Sequence, residues 1–189
     1  VYFSLVDTAA HDYGPTSREA LAAAATADRL VGRLLDGLAR HGLGGRVNVV
    51  VVSDHGMAET RIERTIVLDD LVDLATVDVM ETGPMLRLAP GGAAGAARQA
   101  AVDTLLMRLR RAHPRLTVFG DRELPARYHA SSPRTPPIVG LADEGWLVLT
   151  RAQRDRWVRR GGRPRGDHGF APESASMRGL FVASGPAFR

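Results

Sequence analysis

An α/β fold, with a mostly parallel sheet covered by helices, follows from three stretches of this sequence. Val49-Val50-Val51-Val52 is a run of four β-branched residues that stops at Ser53-Asp54-His55-Gly56. Without polar alternation it reads as a strand buried on both faces, the kind found in mid-sheet. Residues 1–6, VYFSLV, form a second apolar and aromatic run, consistent with another buried strand. Between them lies an Ala- and Leu-rich segment that opens on Thr16-Ser17-Arg18-Glu19, a capping-box pattern, and reaches His41 before Gly42. The order strand, helix, strand over residues 1–52 makes a βαβ crossover, expected to be right-handed.

Taken in order, the elements are these. Residues 7–15 form a loop closed by Gly14-Pro15, and the following helix sets Leu21, Ala25, Asp28, Val31, Leu34, Leu35 and Leu38 mostly on one face, to lie on the sheet. After the valine strand come short pieces: a strand at 65–68, a helical turn at 69–74, and strands at 76–80 and 85–88 about the Thr82-Gly83-Pro84 turn. Residues 91–95 are a small-residue loop, 96–112 a helix ended by His113-Pro114, and 116–119 a strand. Residues 138–141 and 146–150 read as strands paired across Asp143-Glu144-Gly145, and the Arg-rich stretch 151–165 as a mobile surface loop. A last strand approaches Gly185-Pro186. No repeat or linker divides the 189 residues, which are read as one domain.

Composition excludes several classes. At 44% hydrophobic and 24% charged, the chain has an ordinary globular balance. All 25 basic residues are Arg, and the net charge is +4. The densest basic stretch carries one aromatic residue, Trp157, and no stacking series of the sort that single-strand binders use, which argues against nucleic acid. With no cysteine there is neither a disulfide framework nor a thiolate site, so any metal must be held by His and carboxylates. No apolar run approaches the ~18 residues of a membrane span.

Open α/β sheets place ligands beyond the carboxyl ends of their strands, where this sequence places its chemistry. Asp54 and His55 follow the valine strand and supply a hard oxygen and a borderline nitrogen, suited to a divalent ion such as zinc; Gly56 permits a sharp turn if its φ is positive. The blander reading is that Asp54 caps the next segment and His55 sits on a surface loop. Asp7 and His11 are four apart, so one helical turn or a compact loop sets them on one side as a two-ligand clamp. His168 stands among turn residues in Gly166-Asp167-His168-Gly169-Phe170. Two ions about 3.5–4 Å apart need roughly six to eight ligands, so these five fall short of a dinuclear site. The other histidines have simpler roles: His41 at a helix C-terminus, His113 before a helix-ending proline, His129 in a loop.

The segments DTAAHDYGP, SDHGM and GDHGF followed by MRGLFVASGPAF, together with LPARYH and the GW strand, resemble the nucleotide pyrophosphatase/phosphodiesterase family of the alkaline phosphatase superfamily. The resemblance implies an alkaline-phosphatase-like sheet flanked by helices, incomplete at its N-terminus, in a partial catalytic domain truncated at both ends. It implies two zinc ions, one held by Asp7, His11 and His168 and the other by Asp54 and His55. A further metal-binding Asp and the nucleophilic Thr or Ser would lie upstream, leaving no catalytic nucleophile among these residues. The family usually has Gly where Ala10 stands, a change that needs φ below zero at that position. The implied activity is hydrolysis of phosphodiester or pyrophosphate bonds in a small-molecule or nucleotide substrate, with an extracytoplasmic location. Two alternatives stay open: a phosphonate or phosphate-monoester hydrolase of the same superfamily, and an inactive metal-binding fragment.

Overall fold

The chain's first regular element is a helix where its sequence suggests a strand. A computed structural model describes residues 1–92 and 94–188. Helix α1 spans Leu5–Tyr13, with Asp7 in its first turn and His11 in its last, the arrangement that complements a helix dipole. A run of six residues, five of them apolar or aromatic, was too short a signal against the Ala9-Ala10 pair and that charge order, and Gly14, at φ 91°, ends the helix. Helix α2, Arg18–Arg40, starts from Ser17, whose hydroxyl accepts the Ala20 N–H at 3.1 Å. Ser17 therefore caps this helix in place of the predicted Thr16. His41 stands at its C-cap and donates through Nδ1 to the Gly37 carbonyl at 2.8 Å.

Strand β1, Val49–Val52, follows, then β2 (Ala58–Thr60), β3 (Thr65–Val67), β4 (Val77–Glu81) and β5 (Met85–Pro90). Helix α3, Gly95–Arg110, leads to β6 (Leu116–Gly120), β7 (Ile138–Ala142) and β8 (Leu147–Leu149). Helix α4, Arg151–Arg159, then β9 (Arg165–Asp167) and β10 (Phe181–Ser184) complete the order. Ala93, in the predicted small-residue loop, and Arg189 lie outside the described residues.

The mixed α/β class is as expected, but its pairing differs from a mostly parallel sheet. Among the described residues β3–β8 is the parallel ladder; β1–β10, β2–β9 and the four-stranded sheet β4-β5-β7-β6 are antiparallel. Strands β7 and β8 do not pair across Gly145, because β7 is flanked on both sides by β5 and β6, and β8 pairs with β3. The expected βαβ unit over residues 1–52 is absent, since α1 replaces its first strand.

The four valines are not a core strand. Among the described residues strand β1 pairs with β10 alone, and Val50 and Val52 remain 46% and 62% exposed. The apolar run thus reports β-branched fit to an extended backbone, and not burial within the described residues. Likewise α2 packs on α1, and Leu21, Leu34 and Leu35 are exposed.

The main core lies in the middle of the chain. Leu86 and Leu88 of β5, Ile138 of β7, Leu109 of α3 and Val148 of β8 are fully buried together. A smaller cluster joins Ala58, Leu147, Trp157, Phe170 and Met177. Trp157 belongs to α4, so the Arg-rich stretch is an anchored helix and not a mobile loop: Thr150 and Gln153 form a capping box at its start. This smaller cluster holds β2, β9 and α4 in place, and β9 in turn packs on α1.

Candidate metal centre

Three separate segments converge on one imidazole cluster. In α1, Asp7 and His11 lie one turn apart, with Asp7 Oδ1 3.5 Å from His11 Nε2. His168, just beyond β9, brings its Nε2 to 3.9 Å from the same oxygen. One ligand atom from each of the three residues lies within 4.8 Å of the others, with each residue partly buried. Asp7 and His11 thus lie on one side at i, i+4 spacing, set there by a helix in place of a loop.

The imidazoles are oriented by the backbone. His11 Nδ1 lies 2.9 Å from the Gly166 carbonyl, which can only accept, so Nδ1 carries a proton and Nε2 is the nitrogen turned to Asp7. Gly166 also lets β9 approach α1: a Cβ there would lie 2.4 Å from the Ala10 carbonyl oxygen. Ala10, in the helix, is buried and has no positive φ, which satisfies the condition for replacing glycine before His11.

Asp54 and His55 follow β1, at the strand end where they were predicted. His55 donates through Nδ1 to the Gly56 carbonyl at 2.8 Å, again leaving Nε2 free, and that nitrogen is 3.6 Å from Asp54 Oδ2. Its ring stacks on His168, centroids 3.5 Å apart, while His168 lies 4.9 Å from the His11 ring. Gly56 does not serve through a positive φ. It serves through contact, because a Cβ there would lie 1.9 Å from the Ser176 carbonyl oxygen. Asp54 and His55 touch the triad through this ring stack and, among the described residues, complete no three-residue ligand group of their own.

Burial, reinforced by the neighbouring His55 and His11, holds the His168 imidazole below the ordinary histidine range; Asp167 and Asp7 pull it back. Asp167 escaped the sequence reading. Its Oδ1 accepts the His168 N–H at 2.9 Å, and burial pushes its carboxyl above the ordinary range. The Asp-His order in GDHG, in which a short acid can accept the next backbone N–H, was the available signal. The three remaining histidines stay outside: His113 packs on Trp146 with rings 5.1 Å apart, and His129 adopts a left-handed turn at φ 48°.

The donors fit a divalent metal. Asp7 Oδ1 is buried and has no hydrogen-bond partner, although it sits between two imidazole nitrogens. An orphaned buried carboxylate oxygen is costly unless a cation or donor meets it. Two imidazole nitrogens and one carboxylate oxygen form the three-ligand set of catalytic zinc sites.

Comparison with known proteins gives the family of the chain. The family model for type I phosphodiesterase / nucleotide pyrophosphatase matches residues 1–171. Human ectonucleotide pyrophosphatase/phosphodiesterase family member 5 is 30% identical over 190 residues, covering 100% of this chain and 37% of its own length. Mouse bis(5'-adenosyl)-triphosphatase enpp4 is 30% identical, covering 100% and 38%. Among solved structures, that of human ectonucleotide pyrophosphatase/phosphodiesterase 5 superposes with a TM-score of 0.84 at 31% identity, over 97% of this chain and 46% of the other. An inactive form of the murine counterpart in complex with AMP gives the same TM-score at 34% identity. The chain thus spans less than half the length of these relatives. A match over residues 1–171, together with an alkaline-phosphatase-like fold shared at this identity, places the chain in the type I phosphodiesterase / nucleotide pyrophosphatase family.

Proposed function

We propose that the protein to which this catalytic-domain portion belongs hydrolyses phosphodiester or pyrophosphate bonds at a dinuclear zinc centre. Asp7, His11 and His168 would hold one ion, and Asp54 and His55 would contribute to the other. The observation that carries this reading is the buried, unpartnered Asp7 Oδ1 set between the Nε2 atoms of His11 and His168. Divalent ions bound there supply Lewis-acid stabilisation of phosphoryl oxygens and lower the pKa of a nucleophilic hydroxyl or water. The chain's own residues supply the frame. The Gly166 and Gly56 carbonyls orient the rings of His11 and His55 through Nδ1, and the lowered His168 pKa favours its neutral imidazole, the form that binds metal. No residue of the cluster is a nucleophile of the Ser or Thr kind, which fits a nucleophile carried upstream in the full-length protein. AMP in the murine relative supports a nucleotide-like substrate here.

The test uses the full-length protein. It is expected to carry about two zinc per chain, and His168→Ala is expected to lower both metal content and hydrolysis of a nitrophenyl phosphodiester by at least about 100-fold in kcat/KM. Unchanged hydrolysis in that variant overturns the reading. Turnover of a phosphate monoester or phosphonate in preference to the diester would assign the same centre to the superfamily's other chemistry.

A further inference from the structure

The Arg-rich stretch has no part in the centre above, and it is built rather than loose. Helix α4 is fixed at its start by the capping box and on its inner face by Trp157, 6% exposed, whose indole N–H donates to the Arg163 carbonyl at 3.0 Å. Arg156 and Arg160 from the helix end, and Arg165 from β9, line one cavity of about 230 Å³. Among the described residues none of these three guanidiniums enters an ion pair, whereas Arg61, Arg87, Arg110, Arg115, Arg127 and Arg151 each face a carboxylate. Arg165 donates through Nε to the His11 carbonyl at 3.4 Å, a neutral partner. Among the described residues the one acid on the lining is Asp167, which lies in the field of Arg165 and whose Oδ1 accepts the His168 N–H.

A helix C-terminus favours cations, and that alone accounts for Arg156 and Arg160. It does not account for Arg165, which arrives from a different element, nor for three cations sharing one concavity with a single acid already engaged. Three like charges gathered around a single carboxylate leave an excess of positive charge, and an oxyanion relieves that cost. Guanidinium forks match the oxygens of phosphate in bidentate geometry.

We propose that this cavity is an anion site for a phosphate group, held by Arg156, Arg160 and Arg165 and separate from the cluster of Asp7, His11 and His168. The two sites share a wall, since His11, Gly166 and Asp167 also line the cavity. The group bound there is either free inorganic phosphate or one phosphate of a polyphosphate chain.

The full-length protein, stripped of metal and dialysed free of chelator, is titrated calorimetrically with inorganic phosphate and, in a second arm, with pyrophosphate. The same is done with the double variant Arg156→Gln/Arg160→Gln. Both side chains are exposed, and a matching circular dichroism spectrum checks the variant's fold. Wild type is expected to bind phosphate without metal, at least about tenfold more tightly than the double variant, with affinity that falls as salt is added. Arg165→Gln is expected to show the same loss from the other element. Tighter binding of pyrophosphate assigns the site to a polyphosphate chain, and equal binding assigns it to free phosphate. Absence of binding by the metal-free wild type, or equal affinity in wild type and double variant, overturns the proposal. Because no metal is present, neither result depends on the zinc reading.

Discussion

At the scale of single residues, the centre is decided by which atom of each side chain is left free. A backbone carbonyl takes Nδ1 of His11 and another takes Nδ1 of His55, so the Nε2 atoms turn to the cluster. His168 sits between those two rings, and its pKa is held down by burial first and by their charge second. That shift has a sign for stability. As pH falls through the ordinary histidine value, the unfolded chain protonates His168 while the folded, metal-free chain resists, so stability falls with pH. Thermal unfolding of metal-free full-length protein is therefore expected to show wild type losing stability relative to His168→Gln between pH 8 and pH 5. A constant difference between the two across that range would contradict the assignment. Asp7, His11, Asp54, His55 and His168 stand out as candidates in the sequence, because each Asp-His set follows an apolar run or lies among turn residues. Asp167 and the Gly166 carbonyl do not, because what they do depends on backbone atoms whose positions no residue type specifies.

At the scale of elements, close approach is the deciding effect. Strand β9 reaches α1 because Gly166 presents no side chain: a Cβ there would sit 2.4 Å from the Ala10 carbonyl oxygen and 2.8 Å from Met57 Cγ. Gly166→Ala is expected to push the two elements apart, break the His11 Nδ1 hydrogen bond, and weaken metal binding about 10–100-fold. A destabilisation of about 1–3 kcal/mol should accompany it, as overpacking at a tight contact does. Zinc titration and denaturant unfolding of the full-length variant measure the two; unaltered zinc affinity would show that this contact does not orient His11. Element type was partly legible. Strands β3 to β7 and helices α2 and α3 stand close to their sequence signals. The first strand failed because a six-residue, largely apolar run does not distinguish extended from helical backbone, and the Arg-rich loop failed because a capping box and one buried Trp outweigh charge density.

At the scale of the whole molecule, core and centre are distinct. Leu88, fully buried, lies in the cluster between the four-stranded sheet and α3, and no residue of that cluster belongs to the imidazole site. Leu88→Ala is expected to cost about 2–5 kcal/mol in chemical denaturation while leaving zinc affinity unchanged in conditions where the protein stays folded. Loss of zinc affinity in the folded variant would mean that core and centre are coupled. The sequence by itself determined the α/β class, the candidate ligand residues and the family likeness, since these rest on residue type, spacing and local turn chemistry. Only the tertiary structure decided strand pairing, the exposure of Val50 and Val52, and the stacking of His55 on His168. Pairing and exposure depend on which distant segments become neighbours, and a run such as residues 49–52 specifies an extended backbone without specifying its partner.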